Sequence, residues 1–316
     1  MESATNARPT FVAHEHVVRG TLVARNSNPA SFGLLLVPAP TARSGPFNCD
    51  RAEPATIVPT VCTLAVFFQC SEELPLLVAA NRDEFLSRPT SGPQYLAAPR
   101  RFVAGIDLVA GGTWLGANEY GLTAAVLNRR SEKPPDPEKT SRGALVTSVL
   151  GKRAGREAAG AIQELPATQF NLCSVFVADR QEAFLLANEA SGWRVRFLTP
   201  GLHVVTNRES ENLECPRHER VVRLMEPAVS LLHHGRFEDA LEVIKCALRD
   251  HGDSNGTATD PLAVPCVHLG NYGTRSATVL MTFVGDRTRL EILHAAGPPC
   301  RTPFVPLEAL LLVEPR

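Results

Sequence analysis

The sequence lacks three features that would each have assigned it to a class of protein. It contains no run of about 18 apolar residues, the length that a membrane span needs. Its eight cysteines include no CxxC pair and are too sparse for a secreted disulfide scaffold. A formal net charge of -1 over 316 residues provides no basic surface for nucleic acid. We therefore expect a cytoplasmic protein with reduced thiols, no membrane span and no nucleic-acid partner.

The chain divides into two regions of different composition. Prolines recur throughout residues 1–60 among Ala, Ser, Thr and Arg, and no helical or alternating pattern persists there. Such a segment buries too little apolar surface to offset its ordering entropy. We therefore predict a disordered or spurious extension over residues 1–61 and one domain over residues 62–316. Val61 is a position where a bacterial gene could begin with a GTG codon, read as Met.

From Cys62 onward the pattern predicts strands, then helices, then strands. "CTLAVFF" and "PLLVAAN" form one hairpin pattern, and "GGTWLGAN" with "GLTAAVLN" forms another. A helix is predicted over residues 142–165 and two more over residues 214–250. Further strands are predicted in "NLCSVFVAD", "EAFLLANE", "WRVRFLT", "HVVTN", "SATVLMTFVGD" and "RLEILHAA". This order is typical of an α+β protein with helices packed on sheets.

Cys62 opens the first strand pattern, and two interpretations of it are possible. A cysteine in a β-run is by default a small buried hydrophobe. If translation starts at Val61 and the Met is removed, Cys62 instead becomes the N-terminal residue. Its α-amine, with a pKa of roughly 7.7–8, could then act as the base for its own thiol.

A polar cluster, Asn81-Arg82-Asp83-Glu84, ends the second strand pattern. Four polar residues in a row are not buried unless they are paired, so they form either a surfaced strand end or a hydrogen-bonded site. A hairpin that pairs residues 62–69 with 75–82 brings the cluster opposite Cys62. We expect the Arg to lower the pKa of the thiol and the Asp to orient the amine.

Three later positions fit the same site. Asn128 and Asn207 each end an apolar strand pattern, and Arg275 precedes another. Asn side chains can donate to an oxyanion, although Asn at a strand end is also a common turn former. Trp114, in "GGTWLG", is interpreted as part of the core or of a pocket wall.

The sequence offers little support for a metal or phosphate site. His14 and His16 lie in the extension, and neither the Cys215/His218 pair nor the His233/His234 pair has the further ligands of a closed zinc site. "GGTWLG" lacks the Lys-Ser/Thr of a phosphate loop. We therefore predict no metal.

Several motifs together resemble the NRDE family, the group that includes transport and Golgi organisation protein 2. They cover residues 62–295 and are, in order, "CTLAVFF", "LVAANRDEFLSRP", "GGTWLGANEYG", "SRGALV", "VVTN" and "NYGTRSATVLM". That family in turn resembles the N-terminal-nucleophile hydrolases of the penicillin V acylase and bile salt hydrolase branch. The resemblance implies an α+β fold: a four-layer αββα sandwich of two antiparallel sheets flanked by helices.

The resemblance also implies a set of site residues. The matching catalytic positions are Cys62, Arg82, Asp83, Asn128, Asn207 and Arg275, and we assign substrate binding to Asn81, Trp114 and Tyr272. In the acylase branch the Arg precedes the Asp by three positions, where this sequence has Ala80. The Arg stands at position 82 instead, on the same strand face.

Two functions are compatible with this resemblance. The first is a cysteine amidohydrolase that needs no cofactor and cleaves a small-molecule amide, linear or non-peptide. The second is a non-catalytic binding or trafficking protein for a hydrophobic ligand, a lipid or haem, on the same scaffold.

Overall fold

The computed structural model describes residues 62–97, 100–131, 133–207, 215–252, 260–285 and 288–312. The predicted extension, residues 1–61, lies outside these ranges, as do His14 and His16. The chain contains two antiparallel β-sheets, and helices pack on the outer face of each.

The first sheet is built around the hairpin that starts at Cys62. Its strands run in the order β10-β1-β2-β12-β13-β14, with β11 paired to β12 and β15 paired to β13. The strands are β1 (Thr63–Phe68), β2 (Leu76–Phe85), β10 (Gly201–Thr206), β11 (His268–Leu269), β12 (Tyr272–Phe283), β13 (Arg289–Ala295), β14 (Val305–Pro306) and β15 (Leu310–Leu311).

The second sheet is an antiparallel meander in which each strand pairs with the next along the chain. Short connections join most of these strands, whereas the chain between β6 and β7 contains two helices. Its strands are β3 (Thr90–Leu96), β4 (Phe102–Asp107), β5 (Leu115–Asn118), β6 (Thr123–Asn128), β7 (Cys173–Ala178), β8 (Ala183–Glu189) and β9 (Gly192–Phe197).

Four layers result because the central strands of both sheets, such as β1 and β7, are buried on both faces. Leu64 of β1 and Phe176 of β7 belong to one buried cluster, so the two sheets pack face to face. The outer face of the first sheet packs on α3 (Pro216–His233) and α4 (Phe237–Arg249). The outer face of the second packs on α1 (Arg142–Val149) and α2 (Gly155–Gln163). The predicted αββα sandwich is confirmed.

The single helix predicted over residues 142–165 is divided in two. Between α1 and α2 the chain turns, and side chains from the second sheet satisfy the freed backbone groups. Asn118 donates from Nδ2 to the carbonyls of Leu150 and Lys152 at 2.9 and 2.7 Å, and Asp179 accepts from the Gly155 amide at 2.7 Å. The alanine-rich periodicity did not reveal these tertiary contacts.

Two strands of the second sheet, β3 and β4, were not predicted. β3 contains Gly92 and Pro93, residues that usually mark loops, and its pairing with β4 shifts register between Ser91 and Gln94.

Among the described helices, none is long and apolar enough to cross a membrane.

Candidate active site

Cys62 lies between two polar side chains of neighbouring strands. Thr63, the first residue of β1, is paired both with β2 and with β10. Extending both antiparallel registers by one residue places Cys62 between Arg82 of β2 and Asn207 at the end of β10. Because side chains alternate along a strand, all three face the region between the two sheets, and Cys62 packs against its apolar cluster. The pairing of β1 with β2 and with β10 therefore brings together three of the six predicted catalytic residues.

Arg82 is the principal cation of this region and is only 7% exposed. Its guanidinium carbon lies 4.4 Å from the ring centroid of Trp114, a cation–π contact. Nη2 lies 3.7 Å from a Glu84 carboxylate oxygen and 3.8 Å from one of Asp107. Nη1 is buried and has no hydrogen-bond partner among the described residues. A buried donor without a partner is costly, so this atom is available to a carbonyl or anionic ligand.

In the full chain, where the Cys62 amine is part of a peptide bond, the thiol of Cys62 is protonated at neutral pH. It donates to the backbone carbonyl of Asp83 across 3.8 Å. Burial, followed by the nearby Asp83 charge, raises the pKa of the thiol to about 11, and the opposing effect of Arg82 is smaller. Arg82 lowers this pKa, as predicted, but the larger effect of desolvation was not visible in the sequence and sets the direction of the net shift.

Asp83 faces away from Cys62, toward the helix-covered side of the first sheet. Arg217 of α3 donates from Nη1 to its Oδ2 at 2.8 Å, and Thr274 of β12 donates to its Oδ1 at 2.6 Å. Burial raises the pKa of Asp83 to about 6, while Arg217 and Thr274 act in the opposite direction. Arg217 also lies 3.4 Å from the hydroxyl of Thr63, the residue next to Cys62. The carboxylate is thus fixed beside the start of β1.

Arg275 occupies a β-bulge beside this group. Thr274 pairs with Asp83 and Ser276 pairs with Arg82, so Arg275 is the extra residue between them. It is half-buried, and its Nε is buried without a hydrogen-bond partner among the described residues. The structure therefore brings Arg275 next to the polar cluster, as the sequence predicted.

Two residues assigned to substrate binding lie on the other face of the first sheet. Asn81 donates from Nδ2 to the carbonyls of Leu248 and Pro265, each at 2.9 Å, on the helix-covered side. Tyr272 pairs with Phe85 and contacts its ring edge-on, with the ring centroids 5.5 Å apart. Strand alternation separates both from Cys62, which corrects this assignment. Trp114 differs, because it packs against Arg82.

Asn128 is also placed differently from the prediction. It lies opposite Cys173, on the face of the second sheet that packs against α1 and α2. Its side chain therefore does not face Cys62 between the sheets. The adjacent backbone does approach the site, because the amide of Arg130 donates to the Asn207 carbonyl at 2.8 Å.

Several residues that were not predicted also contribute to the site. Arg217 and Thr274 hold Asp83, Asp107 lies near Arg82, and Arg142 at the start of α1 interacts electrostatically with Cys62 and Glu84. Two of the quoted motifs contain such residues: "SRGALV" contains Arg142 and "NYGTRSATVLM" contains Thr274. The Cys215/His218 and His233/His234 pairs belong to no three-ligand metal cluster within the described ranges.

The four-layer arrangement is shared with a known class of proteins. The structure of a Caenorhabditis elegans N-acylethanolamine-hydrolyzing acid amidase ortholog superposes with a TM-score of 0.50 at 14% identity, covering 69% of this chain and 92% of that one. Penicillin V acylase from Agrobacterium tumefaciens gives a TM-score of 0.40 at 13% identity, covering 80% of this chain and 100% of that one. The superposition with the amidase ortholog shows that the two chains share a fold, the four-layer αββα sandwich that was predicted for an N-terminal-nucleophile hydrolase.

The family assignment is more specific. The family model described as "Transport and Golgi organisation 2" matches residues 61–290, and the chain belongs to that family. The human Transport and Golgi organization protein 2 homolog is 26% identical over 226 residues, which are 65% of this chain and 81% of that one. The Mus musculus homolog is 36% identical over 78 residues, 24% of this chain and only 28% of that one. These relatives are eukaryotic, so a bacterial source stays a prediction.

Proposed function

We propose that the protein is an N-terminal-cysteine amidohydrolase that acts on a small-molecule carboxylic amide. The observation that carries this proposal is the position of Cys62 between Arg82 and Asn207, at the start of β1 and within the space between the sheets. The active form requires a free α-amine on Cys62. Initiation at codon 61 followed by removal of the Met, or cleavage of the bond before Cys62, would generate it.

In this mechanism the α-amine of Cys62 accepts the thiol proton, and the thiolate sulfur attacks the amide carbonyl carbon. The carbonyl oxygen becomes an oxyanion, to which Asn207 Nδ2 and the unpartnered Nη1 of Arg82 donate. The α-ammonium returns its proton to the amide nitrogen, the carbon–nitrogen bond breaks, and an amine leaves. The remaining thioester is attacked by a water whose proton the α-amine accepts, which releases a carboxylic acid and restores the thiol.

Asp83 and Arg217 act as positioning residues in this scheme. Arg217 and Thr274 hold the Asp83 carboxylate, and Arg217 also contacts the Thr63 hydroxyl. The negative charge of Asp83 favours the protonated α-amine of Cys62. Arg82 has the opposite effect on the thiol and favours the thiolate. The two charges together stabilise the zwitterionic pair of ammonium and thiolate that the attack requires.

A second candidate is a non-catalytic carrier of a hydrophobic ligand, and an exposed apolar rim favours it. Leu86, Leu108 and Val109, which we call the apolar rim, are 43%, 60% and 62% exposed. The segments that carry them are joined by the hydrogen bond from Leu108 N to Pro89 O at 3.1 Å. Asp107, next in sequence to Leu108, approaches Arg82. A lipid tail fits such a rim, and for haem Cys62 offers an axial thiolate.

The decisive experiment compares the full chain with a chain expressed from Met-Cys62, each with its N-terminus identified by intact-mass analysis. Both are incubated with chromogenic N-acyl anilides of increasing acyl length. We expect hydrolysis and an acyl adduct on Cys62 only when its amine is free, and loss of both in Cys62→Ala. Cys246→Ala, at an exposed cysteine of α4, is the matched control and should keep full activity.

Two results would overturn the amidohydrolase. One is an unchanged rate in Cys62→Ala, and the other is a folded chain with a free Cys62 amine that never acylates. Retention of a long-chain lipid, equal in wild type and in Cys62→Ala and without acylation, would favour the carrier, as would haem binding that is lost in Cys62→Ala.

A further inference from the structure

Three potential metal ligands converge at the start of β11, outside the site around Cys62. Cys266 Sγ lies 3.7 Å from Cys300 Sγ and 3.6 Å from His268 Nε2. His268 Nε2 lies 3.2 Å from Cys300 Sγ. Cys266 and His268 flank one residue in the sequence, whereas Cys300 comes from the turn after β13. All three ligand atoms lie within 4.8 Å of one another.

These separations match the edges of a tetrahedral zinc site. With Zn–S near 2.3 Å and Zn–N near 2.0–2.1 Å, tetrahedral angles place two sulfur ligands about 3.8 Å apart and a sulfur and a nitrogen about 3.6 Å apart. Two of the three observed separations agree with these values, and the third is shorter by a few tenths of an ångström. A disulfide needs a separation near 2.05 Å, so the two thiols are not placed as a bonded pair.

We propose that Cys266, His268 and Cys300 bind a zinc ion through two thiolates and one imidazole, with water as the fourth ligand. Binding displaces the protons of the two thiols into solvent, and the two thiolate charges then neutralise the dication. Cys266 is buried, Cys300 is half-buried and His268 is exposed, so the fourth position faces solvent. Thiolate with imidazole is a ligand set that zinc prefers.

The ion would connect two parts of the chain that support Asp83. Val267, between two of the ligands, donates its amide to Thr274 Oγ1 at 2.8 Å and accepts from the Thr274 amide at 2.9 Å. The same Thr274 hydroxyl donates to Asp83. A zinc ion that fixes the Cys266–His268 segment against the turn at Cys300 therefore holds the partner of Asp83 in place.

Cobalt substitution and metal analysis test this site in the full chain. Protein purified under reducing conditions and freed of metal by a chelator is titrated with Co²⁺, then with Zn²⁺. We expect thiolate-to-cobalt charge-transfer bands and strong tetrahedral d–d bands, which zinc abolishes, at a stoichiometry of one ion per chain. Zinc should also raise the midpoint of thermal unfolding.

Matched variants separate this site from adventitious thiol binding. Cys266→Ser, Cys300→Ser and His268→Gln should each weaken cobalt binding by at least tenfold, while Cys246→Ser and His233→Gln should not change it. His268 is exposed, so its variant keeps a folded reference by circular dichroism even if the cysteine variants do not fold. The proposal is overturned if reduced, folded wild type gives no tetrahedral cobalt spectrum, or if His268→Gln gives the wild-type spectrum and affinity.

Discussion

Arg217 donates from Nη1 to Asp83 Oδ2 across 2.8 Å, and the two side chains are only 2% and 0% exposed. The residues are 134 positions apart in the sequence. The pair joins α3 to the strand that carries the polar cluster. It fixes the carboxylate next to the start of β1, where the proposed nucleophile begins the domain.

Arg217→Met should strongly destabilise the fold. The change leaves the Asp83 carboxylate buried without its cation, which costs about 3–5 kcal/mol of the free energy of unfolding. Urea unfolding followed by circular dichroism measures this loss. Arg236→Met is the matched control, because it breaks an ion pair of the same 2.8 Å length with Asp239 whose partners are 62% and 55% exposed. That loss should stay below about 1 kcal/mol, and equal losses in the two variants would contradict the argument.

Gly105→Ala should disturb the contact between Trp114 and Arg82. A Cβ at position 105 would lie 2.5 Å from two atoms of the Trp114 ring, which must move away. We expect a loss of about 1–3 kcal/mol in stability and a change in tryptophan fluorescence. At Gly160 on α2 an added Cβ would have no atom within 4 Å. Gly160→Ala should therefore raise the free energy of unfolding by about 0.5–1 kcal/mol through helix propensity. A neutral Gly105→Ala would show that the ring is not tightly held.

Alkylation of Cys62 should depend strongly on pH in the full chain. Because burial and Asp83 raise the pKa of the thiol to about 11, reaction with iodoacetamide should be slow at neutral pH and accelerate as the pH rises toward that value. Arg82→Gln removes a cation that lowers this pKa, so it should slow the reaction further. Peptide mass spectrometry measures the labelled fraction, with the exposed Cys246 as the internal reference.

A chain that begins at Cys62 should behave differently. Its α-amine takes the thiol proton, so labelling at neutral pH should be faster than in the full chain. Fast neutral labelling of Cys62 in the full chain, with its amine in a peptide bond, would contradict the buried and protonated thiol described above.

His294 should make the fold less stable in mild acid. Burial lowers the pKa of its imidazole from 6.5 to about 4, and its Nδ1 lies 3.0 Å from the Thr278 hydroxyl. Below pH 6.5 the His294 imidazole is protonated in the unfolded chain, whereas in the native state it becomes protonated only near pH 4. The free energy of unfolding therefore falls by about 3 kcal/mol as pH drops through this window, then levels off.

Urea unfolding at several pH values measures the slope in wild type and in two variants. His294→Gln should flatten it between pH 6.5 and 4, while His234→Gln, at an exposed imidazole, should retain it. An unchanged slope in His294→Gln would assign the acid sensitivity to other groups.

The sequence predicted those parts of the fold whose periodicity is simple. The hairpin of β1 and β2 was predicted because two continuous apolar runs flank a polar turn, and its register alone places Arg82 opposite Cys62. The edge strand β3 was missed because Gly92 and Pro93 interrupt its pattern. The break between α1 and α2 was missed because Asn118, from another element, stabilises it.

The candidate site was predicted in part for the same reason. Arg82 and Asn207 follow from strand register, whereas Asn81, Tyr272 and Asn128 were assigned to the site although their side chains lie on other sheet faces. Strand alternation, applied to each of these positions, places them away from Cys62.

By itself the sequence determined most of the long strands, the first hairpin and the residues that alternate toward the inter-sheet space, because these depend on local periodicity. Only the tertiary structure decided which helix covers Asp83 and which turn meets Cys266 and His268. Arg217 and Cys300 reach their partners across 134 and 32–34 residues, and no local pattern encodes which sheet face a distant segment will cover. The tertiary structure also buries Cys62, and this desolvation keeps its thiol protonated in the full chain.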